Sequence, residues 1–326
     1  MPMSNYPTGF ANGISIRGVP LLQTHPGLVY WVYNGTTLDT GHKNGSDGNA
    51  GTFNAPFATL DYAIGRCRAN KGDIIMVKPG HAETVSSATA LALDVAGIAI
   101  VGLGLGAARP TFTLDTANTT TLAVSAANIT VSNLLFIGNF LSIASVFTLS
   151  TAKDFIVDYC EFRDTSAILG FLSIVTTAAT ANAADGLVFS NNAVKSDATT
   201  SPGPAIVLAG TLDRLDVSYN KIVHTVASNN IAALIEHGAL VVSSAIVSWN
   251  NVYSVNTDTA TGALLIKTTA ITGSGMVMHN RIRALDIAAA IVVTAAAVQY
   301  GMFDNLYIGD GTMNSGFVLP AIGTDA

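Results

Sequence analysis

Val217–Ile222 reads VSYNKI, Val247–Val252 reads VSWNNV and Val277–Ile282 reads VMHNRI. All three are one phrase: an apolar residue, two variable ones, an asparagine, another variable residue and a closing apolar one. Looser copies follow the same form, VFSNNA from Val188 and MFDNLY from Met302. Upstream, VSNLLF from Val131 and VDYCEF from Val157 keep the spacing with Leu134 and Cys160 in the asparagine slot, and IAIVGL from Ile98 supplies the first copy. The fourth positions are then Val101, Leu134, Cys160, Asn191, Asn220, Asn250, Asn280 and Asn305, at intervals of 33, 26, 31, 29, 30, 30 and 25 residues. Self-similarity at such a period marks a solenoid, in which each repeat buries its apolar face only against its neighbours.

The repeating unit is a strand. Leu215-x-Val217 and Ile129-x-Val131 alternate with period two. A second apolar run lies between copies, as at Val146–Leu149, Ile206–Leu208 and Leu264–Ile266. Two or three short strands per coil, each stacked on its equivalent in the next coil, make a parallel β-helix rising about 4.8 Å per coil. The asparagine sits where the chain bends, because its short amide suits turn geometry. At one phase, Asn191, Asn220, Asn250 and Asn280 form a ladder in which each amide bonds its neighbours.

Pro56–Thr84, PFATLDYAIGRCRANKGDIIMVKPGHAET, precedes the repeats. Phe57, Leu60, Ala63, Ile64 and Cys67 share one face of a helix spanning about 56–70, and GDIIMVKPG follows as strand and turn. With the repeats, this stretch resembles the pectate-lyase-like, right-handed parallel β-helix family, in the form that tailed bacteriophages encode. The resemblance implies an all-β, right-handed, single-stranded parallel β-helix of about eight coils with an N-terminal capping helix and a Gly-rich N-terminal arm. Residues 1–53 are the arm or attachment segment and 54–326 the β-helix domain. The fold hosts lyases, hydrolases, adhesins and inert virion parts alike, so it implies no single activity.

Composition narrows the field. The chain of 326 residues is 49% hydrophobic but only 11% charged, with net charge −6. Glutamate occurs three times, and between Val85 and Ala152 the charges are Asp94, Arg109 and Asp115 alone. Such a surface predicts cover by another chain. No apolar run reaches the ~18–20 residues of a membrane span. The opening MPMSNYPTGF has neither a basic nor an apolar leader region. The net charge, with no basic run, argues against nucleic acid. Cys67 and Cys160 are expected as two buried thiols.

Residues that carry chemistry are sparse. Asp158, Glu161 and Asp164 fall around one turn, with Asp213 and Asp216 two rungs on, about 10 Å away by strand spacing. Carboxylates at such separations serve inverting glycoside hydrolysis, so Asp158, Glu161 and Asp216 are the catalytic alternative. Against it, they are turn and surface acids with Arg163 and Arg214 as local partners. The resemblance carries no catalytic set over, because no cluster of acidic calcium ligands with an Arg or Lys base is recognisable. The six histidines lack metal-ligand spacing, and GHKNGSDGNAGT (Gly41–Thr52) is a loop without an EF-hand pattern. No cofactor or metal is expected.

Aromatic residues are the other candidates. Tyr30, Trp31 and Tyr33 lie in the arm, which either caps the open end of the solenoid or grips a neighbour. The third repeat position holds Tyr159, Ser190, Tyr219, Trp249, His279 and Asp304. Turned outward, Tyr159, Tyr219 and Trp249 make a stripe on which a sugar stacks or a protein docks; turned inward, they pack under loops. Together these features point to a structural virion protein on the phage surface, a capsid decoration or cement subunit. It is expected to be made in the host cytoplasm, to self-associate as a homotrimer through the low-charge faces and to bind the major capsid protein. The alternative is a tailspike- or fibre-type protein that binds or depolymerises polysaccharide.

Overall fold

A computed structural model describes residues 15–16, 19–20, 27–35, 41–197, 204–225, 234–237, 241–254, 266–268, 273–284, 299–308 and 316–317. Short strands recur in a fixed order and stack into three parallel faces. The first face begins with Val29–Val32 and Ile74–Val77, continues through Ala99–Gly102, Thr130–Ser132, Ile156–Asp158, Val188–Ser190 and Asp216–Ser218, and ends with Val242–Ser248, Gly273–Met278 and Gln299–Phe303. The second face runs from Ala82–Val85 up to Leu306–Ile308, and the third from Ala92–Leu93 up to Ile266–Thr268. The protein is a parallel β-solenoid.

Strand pleat explains the core. On the first face the central residue of each strand points inward, so Ile75, Ile100, Val131, Val157, Phe189, Val217, Val247 and Val277 stack in one buried column. The second face adds Phe112, Phe136 and Phe162, whose rings stack at 5.8 and 5.3 Å. Phe147 of the third face meets Phe136 edge-on at 5.2 Å. Isoleucine, valine and phenylalanine suit a pleated, two-sided environment, which is why a sequence so rich in them repeats as strands.

Three expectations need correction at the lower end. The first face carries ten stacked strands, more than the eight repeats read from the sequence. The two additional rungs, Val29–Val32 and Ile74–Val77, lack a turn asparagine and so escape the motif. Val29–Val32 therefore belongs to the solenoid, and the boundary after residue 53 cuts through its first coil. Trp31 is tied in by its ring against Phe53 and by backbone bonds to Gly51 and Phe57. Tyr30 packs against Phe57, and Tyr33 lies beside the Lys78 ammonium. The helix is shorter than predicted, Leu60–Arg66. Thr59 caps it by accepting from Tyr62 N, Glu83 accepts from Leu60 N, and Asp47 accepts from Ala58 N and Thr59 N. The loop around Asp47 is thus a helix clamp, and the donors it satisfies are those a helix start leaves open.

Asp73 ties the first two rungs together. Its fully buried carboxylate accepts from Arg68 Nη2 at 2.7 Å and Leu28 N at 2.6 Å. The Arg68 guanidinium holds its pKa down at about 2. The thiols differ from one another: Cys160 is buried and Cys67 half-buried, and burial pushes both up to about 12.

Candidate functional site

From Thr130–Ser132 upward, each coil passes from the first face to the second through a two-residue bend. The second residue of the bend points inward and forms a column of amides. Asn192, Asn220, Asn250, Asn280 and Asn305 occupy it, all buried. Asn250 shows the pattern: its Nδ2 donates to Val217 O (2.8 Å) and Asn280 Oδ1 (3.0 Å), while its Oδ1 accepts from Asn220 N and Asn220 Nδ2. Below Asn192 the column ends on Cys160, whose N–H donates to Asn192 Oδ1 at 2.8 Å. Asn191, assigned to the column from its sequence, lies outside it and donates instead to Asp158 Oδ1. Val157 pairs with Phe189 and not with Val188, so that copy of the motif begins one residue later than VFSNNA suggests. A slip of one residue exchanges inside for outside. The first copy begins two residues later than IAIVGL suggests, at Ile100, the residue that pairs with Val131.

The first residue of the bend is left-handed in every coil from Asn133 upward: Asn133, Tyr159, Asn191, Tyr219, Trp249, His279 and Asp304 have φ between 49° and 58°. Asparagine and aspartate enter this region readily; bulky residues do so at a cost. Yet Tyr159, Tyr219, Trp249 and His279 accept it, held there by the hydrogen-bonded column behind them. Their side chains point outward. Tyr159 and Tyr219 are each 58% exposed and Trp249 49%. Tyr219 and Trp249 lie parallel at 6.1 Å, and His279 stacks on Trp249 at 4.4 Å. Phe303 closes the row edge-on at 5.6 Å, and Asp304 Oδ2 bonds His279 Nδ1 at 2.8 Å. A continuous aromatic ridge results. Ser190, placed in this row from the sequence, lies on the first-face strand, and Asn191 takes its position.

The acids do not form one cluster. Asp158 ends a first-face strand, Glu161 begins the second-face strand across the bend, and Asp164 ends that strand. Asp158 Oδ1 accepts from Ser190 Oγ and Asn191 Nδ2, both at 2.8 Å. Glu161 is held by Arg109 at 3.0 Å and Arg163 Nε at 2.6 Å. Asp164 accepts from Phe171 N, Ser196 Oγ and Asp197 N, and burial raises its pKa. Asp213 accepts from Ser243 Oγ, while Asp216 stands on a first-face row separate from that of Asp158. Through these bonds Asp158, Glu161, Asp164 and Asp213 stitch coils together, whereas Asp216 Oδ1 is buried without a partner.

Beside the ridge, the outer side of the second face carries Glu161, Ala193, Lys221, Asn251 and Arg281 in one row, and Arg163, Lys195 and Val223 in the next. A shallow concavity lies over Lys221, Asn251, Tyr253 and Arg281. Sequence reasoning missed this basic strip, because residues 30 or 60 apart become neighbours only once coils stack. A smaller hollow at the corner between the second and third faces contains Asp164, Ser196 and His224. Burial there holds His224 down at about 4.

No family model matches this chain, and no curated protein sequence matches it. Its structure is similar to that of the pectin methylesterase of Aspergillus niger, with TM-score 0.47 and 12% identity over 85% of this chain and 88% of that one. A rhamnogalacturonan lyase gives 0.39 and 14% over 79% and 70%. ORF18 of Geobacillus virus E2 gives 0.31 and 10% over 74% and 54%. All are likenesses of architecture, and none assigns an activity.

Proposed function

We propose that this chain is a structural protein of a phage particle, a decoration or cement subunit on the outside of the head shell, and that it works by binding rather than by chemistry. The observation that carries the binding role is the ridge of Tyr219, Trp249 and His279. Three bulky side chains in consecutive coils hold a backbone conformation that asparagine adopts more cheaply, and strain of this kind, about 1–3 kcal/mol per residue, persists where it serves a purpose. What it achieves is the outward display of rings. Exposed aromatic edges in a row are what protein interfaces bury as anchors. The phage setting draws its support from the resemblance of Pro56–Thr84 and the repeats to phage β-helices. The low charge between Val85 and Ala152, where Leu105 and Leu141 also stand exposed, supports a subunit covered by other chains.

A second reading, a polysaccharide-binding β-helix, is favoured by the concavity over Lys221, Asn251 and Arg281 beside the ridge. One experiment separates the two. Purified chain is sedimented with bare head shells of the phage that encodes it, and in parallel with the capsular polysaccharide of the host. The proposal expects sedimentation with shells and none with glycan; the opposite pattern replaces it with the second reading.

A further inference from the structure

Each coil of the ridge carries a second outward side chain two residues further on. Tyr219 is followed by Lys221, Trp249 by Asn251 and His279 by Arg281, each pair spanning one buried asparagine of the column. Lys221, Asn251 and Arg281 are direct register partners on the second face, and all three are exposed. At about 4.8 Å per strand, the lysine and the arginine stand about 10 Å apart with the amide between them. Ala193 lies below this row and Leu306 above it. Ridge and row therefore make one surface: three stacked rings beside an ammonium, a carboxamide and a guanidinium, over a shallow concavity.

The acids of the same face are already engaged. Glu161, two rungs below Lys221, is held by Arg109 at 3.0 Å and by Arg163 Nε at 2.6 Å. Asp197 pairs with Lys195 at 2.9 Å and accepts from Thr225 Oγ1. Asp164 accepts from Phe171 N, Ser196 Oγ and Asp197 N. Among the described residues, Lys221 and Arg281 join no ion pair, in a chain whose net charge is −6. Two exposed cations so placed favour a ligand that brings carboxylates to both.

The rings point to the class of that ligand. Trp249 lies parallel to Tyr219 at 6.1 Å and is stacked on His279 at 4.4 Å, so its faces look at its neighbours and its edge looks outward. A base or a sugar needs an open ring face to stack on, whereas apolar side chains of a protein cover ring edges. We infer that ridge and row together dock an acidic protein surface. Two of its carboxylates, about 10 Å apart, bond Lys221 and Arg281, while an apolar side chain covers the edge of Trp249. The inference rests on the reading of this chain as a binding protein of the particle, and it names the chemistry of the surface that is gripped.

Tryptophan fluorescence on the full chain tests it. Trp31 and Trp249 are the two tryptophans, so Trp31→Phe leaves Trp249 as the reporter. The protein-like probe is a soluble copolymer of L-glutamate and L-leucine; oligogalacturonate presents carboxylates on a sugar backbone instead. The copolymer is expected to change Trp249 emission, and to bind about tenfold more weakly once Lys221→Gln and Arg281→Gln are combined. Added salt should weaken it likewise. Lys153→Gln, which removes a cation paired with Asp185 at the far end of the first face, should leave the affinity unchanged. Circular dichroism confirms that each variant keeps its coils. An absence of copolymer binding, binding that the double variant leaves intact, or tighter binding of oligogalacturonate overturns the inference. Shell sedimentation is scored separately. A double variant that sediments with shells as well as wild type keeps the particle reading and sinks this inference; copolymer binding that the double variant loses, with no sedimentation by wild type, does the reverse.

Discussion

Replacing Asn250 with leucine tests the amide column where it is fully connected. Asn250 is 1% exposed, and its side chain takes part in four hydrogen bonds, two to backbone groups and two to neighbouring amides. Leucine has a similar volume, so little cavity forms and the loss is almost wholly polar. Some groups keep a partner. Asn280 Oδ1 still accepts from the backbone N–H of residue 250, and Asn220 Nδ2 still donates to Phe189 O. The Asn220 N–H loses its partner inside the solenoid, while the Val217 carbonyl loses one of two and keeps its place in the strand ladder with Val247 and Ser248. At about 1–3 kcal/mol for a stranded buried group, Asn250→Leu costs roughly 1–3 kcal/mol. Asn191→Gly is the control: glycine takes the left-handed φ without strain, so only the half-buried bond to Asp158 is lost, at less than about 1 kcal/mol. Urea unfolding followed by far-UV circular dichroism reads both. Equal stabilities for the two variants, or a larger loss at Asn191, would refute the phase assigned to the column.

Acid should reveal His224. Its folded pKa of about 4 lies below the ordinary value of 6.5, so the unfolded chain binds the extra proton. Stability is therefore full above about pH 6.5 and falls by roughly 3 kcal/mol as the pH drops toward 4. His224→Gln should flatten that slope, and an unchanged slope places the titration elsewhere. Asp73 acts in a lower window. Its contribution is present above about pH 4 and is lost as the pH falls through about 2. Asp73→Asn should lower stability at pH 7 by about 1.5–3 kcal/mol, through its buried bonds to Arg68 and Leu28, and thermal melting at pH 7 checks this. Asp158→Asn combined with Asp216→Asn should leave shell binding intact, and wild-type protein incubated with host polysaccharide should release no reducing ends or unsaturated products. Depolymerisation that this double variant abolishes would mark the two acids as catalytic.

How much of this was legible in the sequence depended on what repeats. The solenoid and its period were legible because one strand, one bend and one asparagine recur about every 30 residues, and Asn220, Asn250 and Asn280 alone set the phase. The slip at Asn191 arose where the motif is doubled: Asn191 and Asn192 adjoin, Val188 and Phe189 are both apolar, and only strand pairing selects Phe189 as the inward residue. The two lowest rungs fall outside the motif, and the first of them inside the arm, because Tyr33 and Lys78 stand where asparagine marks the later bends. Asp158, Glu161 and Asp164 seemed close because they are near in sequence, yet the bend at Cys160 places Asp158 on one face and the other two on the next. The basic strip on the second face was invisible for the opposite reason. Lys195, Lys221 and Arg281 are far apart along the chain, and only the stacking of coils makes them one strip.

The central claim, that this chain serves on a phage particle by binding, is tested most directly by electron cryomicroscopy of particles purified from the phage that encodes it. The account predicts density for the solenoid on the outer surface of the head shell, with the aromatic ridge of Tyr219, Trp249 and His279 covered by protein. Density for the chain confined to the tail tip, or its absence from the particle altogether, would contradict it.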